Sequence, residues 1–326
     1  MAEINLVEAV NLALHRAMRD DPKVLLLGED VGRNGGVFRA TEGLWKAFGD
    51  GRVRDTPLSE ALIAGLSVGL AASGYRPVAE IQFMGFMYSC IDQLANHASR
   101  MRNRTRGRLC CPMVMRTPFG GGVHAPEHHS ESAEAMFAHI PGLRVVVPST
   151  PSRAYGLLLA AVRSPDPVVF LEPTRLYRAF RERVRDDGVS MPLDRCIVER
   201  DGRDVTLVGW GAMMQEVRAA ADELAASDIL CEVIDVATLS PFDAATVLQS
   251  VEKTKRCVVV QEAPLSCGFG AEVVARIAQH DLMSLLAPVI RVAGADTVMP
   301  LPRLEARYMP QQQQIVDAVS QAMRYT

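Results

Sequence analysis

No two of the seven cysteines in this chain stand at C-x-x-C spacing, and their number is odd. That excludes a disulfide framework and a cysteine-built structural zinc site, and it fits a reducing cytoplasm. No apolar run approaches the roughly 20 residues that a membrane helix needs. The first residues, "MAEINLVEAVNLALHRAM", carry Leu6, Val10, Leu14 and Met18 at helical spacing broken by charge, so neither a signal peptide nor a membrane span is expected there. There is also no excess of one charge. Lys and Arg number 35 against 38 Asp and Glu, a formal net charge of −3, which gives no general attraction to nucleic acid or to an anionic membrane. A cytoplasmic protein with neither kind of partner is expected.

What is present is ordinary globular material: 326 residues, 48% apolar and 22% charged, enough for two domains. Short β-rich runs, "KVLLLGED", "RPVAEIQF", "CPMVMRTP", "LRVVVPS" and "DPVVFLEP", alternate with segments of helical length. This pattern predicts an α/β fold with a mostly parallel sheet between helices. The charged stretch "YRAFRERVRDDGVSMPLDRCIVERDGRD" interrupts it. Alternation resumes in "DVTLVGWG", "CEVIDVAT", "RCVVVQEA" and "APVIRVAG", with helices beginning near Met213, Asp243 and Gly268. The expected organisation is a domain over 1–180, a linker over 181–203 and a smaller α/β domain over 204–326. No internal repeat is visible, and "QQQQ" at 311–314 is expected to begin or precede the last helix.

Three signatures crowd into "AFGDGRVRDTPLSEALIAGLSVGLAASG", residues 47–74. "GLSVG" matches a nucleophile elbow, which requires a strand, a sharp turn and a helix. Leu58, Leu62, Leu66 and Leu70 repeat every fourth residue, however, as do Ala61, Gly65, Gly69 and Ser73, so one helix is expected to run through the motif and Ser67 is not a nucleophile. "GDG" at 49–51 resembles the start of a thiamine diphosphate magnesium motif, but no asparagine follows before Asn96, and it reads as a tight turn. The third feature is Glu60, after Pro57 and Ser59. Alone it is an acid favoured by the dipole in a first helical turn.

Other patterns carry less. The run "SRMRNRTRGR" lacks interleaved aromatics for base stacking, so a solvated or subunit-contacting helix end is expected rather than a nucleic-acid site. "CGFGAEV" lacks the third glycine of a dinucleotide fingerprint. His124, His128 and His129 share a glycine-rich stretch. Adjacent histidines diverge on most backbones, so no metal site is expected.

Taken with "VLLLGEDVGRNGGVFRATEGL", "TPLSEALIAG", "AEIQFMGFMY", "RTPFGGGVHAPEHHSESAEAMFAHIPGLRVVVPSTPSRAYGLL", "DVTLVGWGAM", "EVIDVATLSPFD" and "VVVQEAP", the chain closely resembles the beta subunit of the thiamine-dependent decarboxylating component of 2-oxo acid dehydrogenase complexes, over essentially its whole length. The resemblance implies a transketolase-like pyrimidine-binding domain over 1–180 and a transketolase C-terminal-type domain over 204–326. It implies thiamine diphosphate shared with an alpha subunit that holds the Mg2+, in a heterotetramer of two alpha and two beta chains. It further implies a lipoyl-bearing acyltransferase core contacted by the C-terminal domain, and a structural K+ in some relatives.

By motif, Glu60 would hydrogen-bond the aminopyrimidine ring and promote its imino tautomer, so that the thiazolium carbon can lose its proton. A carboxyl group in a dry pocket suits that exchange, and the apolar flank "LIAGLSVGLAA" suits the pocket. Phe86 would pack on the pyrimidine, Gln82 and Leu58 would line the cofactor, and Glu29 would lie in a polar channel beside it. His129 would face the thiazolium and assist proton transfer and acyl handover to a lipoyl arm. Ser89 stands where some relatives carry an acid, which weakens any continuous acidic relay. The expected activity is oxidative decarboxylation of a 2-oxo acid, pyruvate first, with branched-chain 2-oxo acids or acetoin as alternatives. A non-catalytic α/β scaffold is the alternative of another class.

Overall fold

The computed structural model describes residues 2–325. The strands of the first part are β1 (Ala2–Ile4), β2 (Val24–Gly28), β3 (Val53–Asp55), β4 (Arg76–Glu80), β5 (Val114–Phe119), β6 (Arg144–Val146), β7 (Val168–Pro173) and β8 (Glu182–Val184). Those that follow are β9 (Ile197–Arg200), β10 (Val205–Gly209), β11 (Cys231–Asp235), β12 (Thr238–Ser240), β13 (Cys257–Pro264) and β14 (Ile290–Gly294). The helices are α1 (Leu6–Asp20), α2 (Leu44–Phe48), α3 (Glu60–Ala72), α4 (Met101–Arg104), α5 (Glu134–Ala138) and α6 (Pro151–Arg163). After them come α7 (Met213–Ala225), α8 (Ala244–Thr254), α9 (Gly270–Asp281), α10 (Pro302–Tyr308) and α11 (Gln312–Met323).

The chain divides into two compact units, Met1–Phe119 with Met136–Leu193, and Gly120–Ala135 with Asp194–Thr326. In the first, strands run parallel in the order β6-β7-β5-β4-β2-β3. β5 and β7 are buried along their whole length, as expected for parallel strands covered on both faces. α1 starts at a capping box in which the Asn5 side chain accepts the Glu8 N–H and Glu8 receives the Asn5 N–H, satisfying two otherwise orphaned donors. Its buried Leu6, Val10 and Leu14 lie on one face, and the helix packs against α6. Each such side chain contributes about 1.5–3 kcal/mol by leaving water.

In the second unit the order is β14-β13-β10-β11-β9, parallel except for β9, which pairs antiparallel with β11. α7, α8 and α9 begin at Met213, Ala244 and Gly270, within two residues of the expected starts. Two places depart from the pattern read in the sequence. The charged stretch after residue 177 holds two strands, since β8 pairs with β1 and β9 joins the second sheet. The segment Gly120–Ala135, inside the stretch expected to belong to the first domain, packs with the second unit. Both follow from short polar segments finding strand edges and buried carboxylates that local periodicity does not encode.

Candidate active site

The carboxyl ends of β2 and β3 meet the start of α3. The backbone of Thr56 donates to the Gly28 carbonyl at 2.9 Å, which ties the two strand ends together. Gly28 lies so close to β4 that a Cβ there would come 2.7 Å from the Glu80 carbonyl oxygen, so only glycine fits. The next residue, Glu29, is 8% exposed. Burial raises its carboxyl above the usual range, and the nearby charges of Glu60 and Asp30 push the same way. Glu60 itself stands in the first turn of α3. The Cys90 thiol donates to the Glu60 carbonyl at 3.3 Å. Burial, then Glu60 and Glu29, lift that thiol to about 12, so it is an inert packing group. Glu29, Glu60 and Cys90 therefore converge at the strand ends, where ligands of α/β sheets gather.

Phe86 lies on the short turn Met84–Cys90, which packs on α3. Its ring meets Phe83 edge to face at 6.1 Å, and Phe83 meets Phe38 at 5.6 Å. Gln82 and Phe86 are both half-buried. Leu58, just before α3, is 81% exposed. Two buried polar atoms here, Glu29 Oε1 and Thr56 Oγ1, have no hydrogen-bond partner. Buried polar atoms are costly without a partner, and these two can accept or share a hydrogen bond with a polar ligand or a water.

The other two signatures of residues 47–74 resolve cleanly. α3 runs through "GLSVG", and Ser67 is fully buried with its hydroxyl donating back to the Ile63 carbonyl at 2.8 Å. "GDG" is a turn, with Gly49 at φ 75° and Asp50 accepting from the Trp45 indole. The helix turns its face differently from what the leucine spacing suggests. Ile63, Ala64, Ser67 and Ala71 are buried, whereas Leu62 and Leu66 are exposed. Together with Tyr75 and Pro57 they line an apolar groove of about 470 Å³ beside β2 and β3. The apolar flank of Glu60 is thus divided, with Ile63, Ala64 and Ala71 turned inward and Leu62 and Leu66 turned to the groove. In the arginine run, Arg102 pairs with Asp166 at 2.7 Å.

A charged network lies beneath these strand ends. Arg116, 0% exposed in β5, donates to both oxygens of Glu172 at 2.7 and 2.8 Å and also to Glu80. The Tyr177 hydroxyl donates to Glu172 at 2.6 Å. Burial alone would lower Arg116, but Glu172 and Glu80 outweigh it and hold it above its ordinary value. Burial raises Glu80, against the pull of Arg116. Sequence reading missed this network, although its signal is present: a single charge inside each apolar run, "VAEI", "VMRT" and "FLEP".

His129 lies in the segment that packs with the second unit, on the short 3-10 turn Glu127–His129. That turn brings the His128 and His129 rings together, with centroids 4.2 Å apart, contrary to the divergence expected of adjacent histidines. Burial lowers the His129 pKa, His128 lowers it further, and Glu127 opposes them. His124 pairs with Glu305 at 2.6 Å. Among the described residues, no group of three or more His, Cys, Asp or Glu side chains is placed to hold a metal ion.

The transketolase pyrimidine-binding domain matches residues 2–179, and the transketolase C-terminal domain matches residues 194–315. Over the full length of both chains, the sequence is 47% identical to the pyruvate dehydrogenase E1 component subunit beta of Bacillus subtilis and to that of Staphylococcus epidermidis, and 46% identical to that of Staphylococcus aureus. The chain belongs to the beta-subunit family of 2-oxo acid dehydrogenase E1 components. A solved split-gene transketolase, described as an inactive beta4 tetramer, superimposes with a TM-score of 0.82 over 99% of each chain at 22% identity, which shows a transketolase-like fold.

For an E1 beta subunit, the strand-end cluster has the chemistry of a pyrimidine site. It offers carboxyl groups to a ring nitrogen, two unsatisfied polar atoms and an adjacent aromatic cluster. The transketolase-type enzymes of this family use thiamine diphosphate, and the residues present fit its ring half. "GDG" is engaged in a turn instead of a phosphate cradle.

Proposed function

We propose that this chain is the beta half of a pyruvate dehydrogenase E1 that works only with an alpha chain, in a cytoplasmic heterotetramer of two alpha and two beta subunits. The observation that carries the reading is the convergence of Glu29 and Glu60 beside the unsatisfied Glu29 Oε1 and Thr56 Oγ1. Thiamine diphosphate, when bound, supplies the electron sink for decarboxylation. Glu60 holds and exchanges a proton with the aminopyrimidine ring, Glu29 lines the polar approach, and Gln82, Phe86 and Leu58 position the ring. His129, whose pKa is lowered by burial and by His128, accepts a proton on the substrate side and serves the acyl handover to a lipoyl group. Residues 1–180 supply the pyrimidine-binding domain, 181–203 the connection and 204–326 the C-terminal domain.

The alpha chain supplies the diphosphate and Mg2+ half. The exposed Leu58, Leu62 and Leu66 face supports such a partner, because an apolar patch beside a half-built site is a usual interface core. The C-terminal unit contacts the lipoyl-bearing acyltransferase core. A K+ ion at the sheet ends belongs to the same reading. Pyruvate is preferred over branched-chain 2-oxo acids and acetoin on the names of the relatives.

The test is reconstitution with an alpha chain that carries a complete magnesium motif. Thiamine diphosphate is expected to bind tightly only to the mixed assembly, which decarboxylates pyruvate faster than its branched-chain analogues. Tight binding by the beta chain alone would contradict the shared site.

A further inference from the structure

The segment that carries the histidines is held by two buried carboxylates from different elements of the second unit. Glu262, in β13, is 4% exposed and Glu305, in α10, is 3% exposed. Glu262 Oε1 accepts the Gly121 N–H at 2.5 Å and the Ser132 hydroxyl at 3.0 Å, so one oxygen grips the segment near both ends. Glu305 takes the middle, accepting the Gly122 N–H at 2.6 Å and the His124 N–H at 3.3 Å, with His124 Nδ1 at 2.6 Å. The Gly120 N–H donates to the Glu131 carbonyl at 2.9 Å and closes the loop. Gly120 has φ +82°, and a Cβ there would stand 2.7 Å from Glu262 Oε1. The glycines are what allow the backbone to reach the carboxylates.

Burying two carboxylates is unfavourable unless each is fully bonded. These bonds converge on one loop. A carboxamide in place of Glu305 would present a donor to an N–H group that needs an acceptor, whereas one in place of Glu262 keeps a single acceptor oxygen and loses the charge that strengthens its bonds.

We propose that Glu262 and Glu305 are positioning residues for the reaction: they fix the loop Gly120–Ser132 and thereby the imidazole of His129. This rests on the reading that His129 takes part in the chemistry. A displacement of about 1 Å in a reacting group costs on the order of 100-fold in rate, and loss of an orienting partner costs about 10- to 100-fold.

The test uses the assembled alpha–beta complex with Glu262→Gln, Glu305→Gln and the milder Ser132→Ala, each alone and combined with His129→Ala. Lipoyl acylation and amide exchange of residues 120–132 are both measured. The expected result is a 10- to 100-fold loss in kcat with little change in KM for Glu305→Gln, about the cost of a lost orienting partner, a smaller loss for Glu262→Gln, which keeps one acceptor oxygen, and faster exchange in the loop for both. On the His129→Ala background the same substitutions cost less than about threefold, because they act through the histidine. Losses that multiply fully on that background, or loop exchange that does not change, would overturn the inference. If Glu262→Gln or Glu305→Gln fails to assemble, Ser132→Ala decides by the same cycle. If His129→Ala alone is fully active, the proposed role of His129 fails instead, and the loop exchange still reports whether the carboxylates hold the segment.

Discussion

Glu134 is 0% exposed, its Oε1 accepts from the Trp210 indole at 3.1 Å, and its Oε2 has no hydrogen-bond partner. Burial raises its pKa from 4.5 to about 7, the Trp210 bond opposes the shift, and Glu262 adds to it. A group whose folded pKa is raised keeps its proton in the folded chain after the unfolded chain has released it. Its favourable contribution is therefore complete below the unfolded value of 4.5, declines as pH rises towards about 7, and is gone above that. The shift corresponds to about 3 kcal/mol. Glu134→Gln keeps an acceptor for Trp210 and cannot ionise. Relative to the parent, the variant is predicted to gain up to about 3 kcal/mol in unfolding free energy between about pH 4.5 and about pH 7.5. Any fixed cost of the unpaired amide cancels in that difference. Urea unfolding of both chains across that range, followed by tryptophan fluorescence, is the measurement. A stability difference independent of pH would show that Glu134 is ionised and stabilised in the fold, and would refute the reasoning.

Other outcomes concern the first unit. Arg116→Met leaves Glu80 and Glu172 buried without their cation, and should lower stability by about 3–5 kcal/mol in the same urea assay. Arg116→Lys should not restore it, because the bidentate bond to Glu172 is lost. Ser67→Ala should leave turnover of the reconstituted enzyme unchanged, since that hydroxyl is spent on the Ile63 carbonyl. Leu62→Glu with Leu66→Glu should leave the isolated chain as stable as before, because both side chains are exposed, while substantially weakening its association with an alpha chain in sedimentation or titration.

The sheet and most helices were legible because their signals are local. "VLLLG" and "VVFLEP" are apolar enough to be buried strands, and Met213, Ala244 and Gly270 begin helices near where periodicity starts. The passage of α3 through "GLSVG" was readable from its four-residue repeat. Which face of that helix is buried was not, because small residues pack as closely as leucines and apolar side chains stand on both of its sides: Ile63, Ala64 and Ala71 inside, Leu62 and Leu66 outside. The Arg116 network was unreadable as a set, since its members are joined by strand register, Glu80 opposite Arg116 in neighbouring strands, and by nothing along the chain. The same holds for Glu262 and Glu305, which lie 141 and 183 residues from the glycines they hold. Glu29 and Glu60 could be named individually, but the effect of the Glu60 charge on Glu29 appears only when the strand end and the helix start meet.

Glu60 is central because it is proposed to exchange a proton with a cofactor ring whose phosphates another chain holds. The most direct measurement is the rate of exchange of the thiazolium carbon proton of thiamine diphosphate bound to the alpha–beta assembly, with and without Glu60→Gln. The cofactor is predicted still to bind, and the exchange rate to fall by about 10²- to 10⁴-fold, the scale of a lost acid–base group. Exchange at the parental rate in a fully loaded Glu60→Gln assembly would contradict that role.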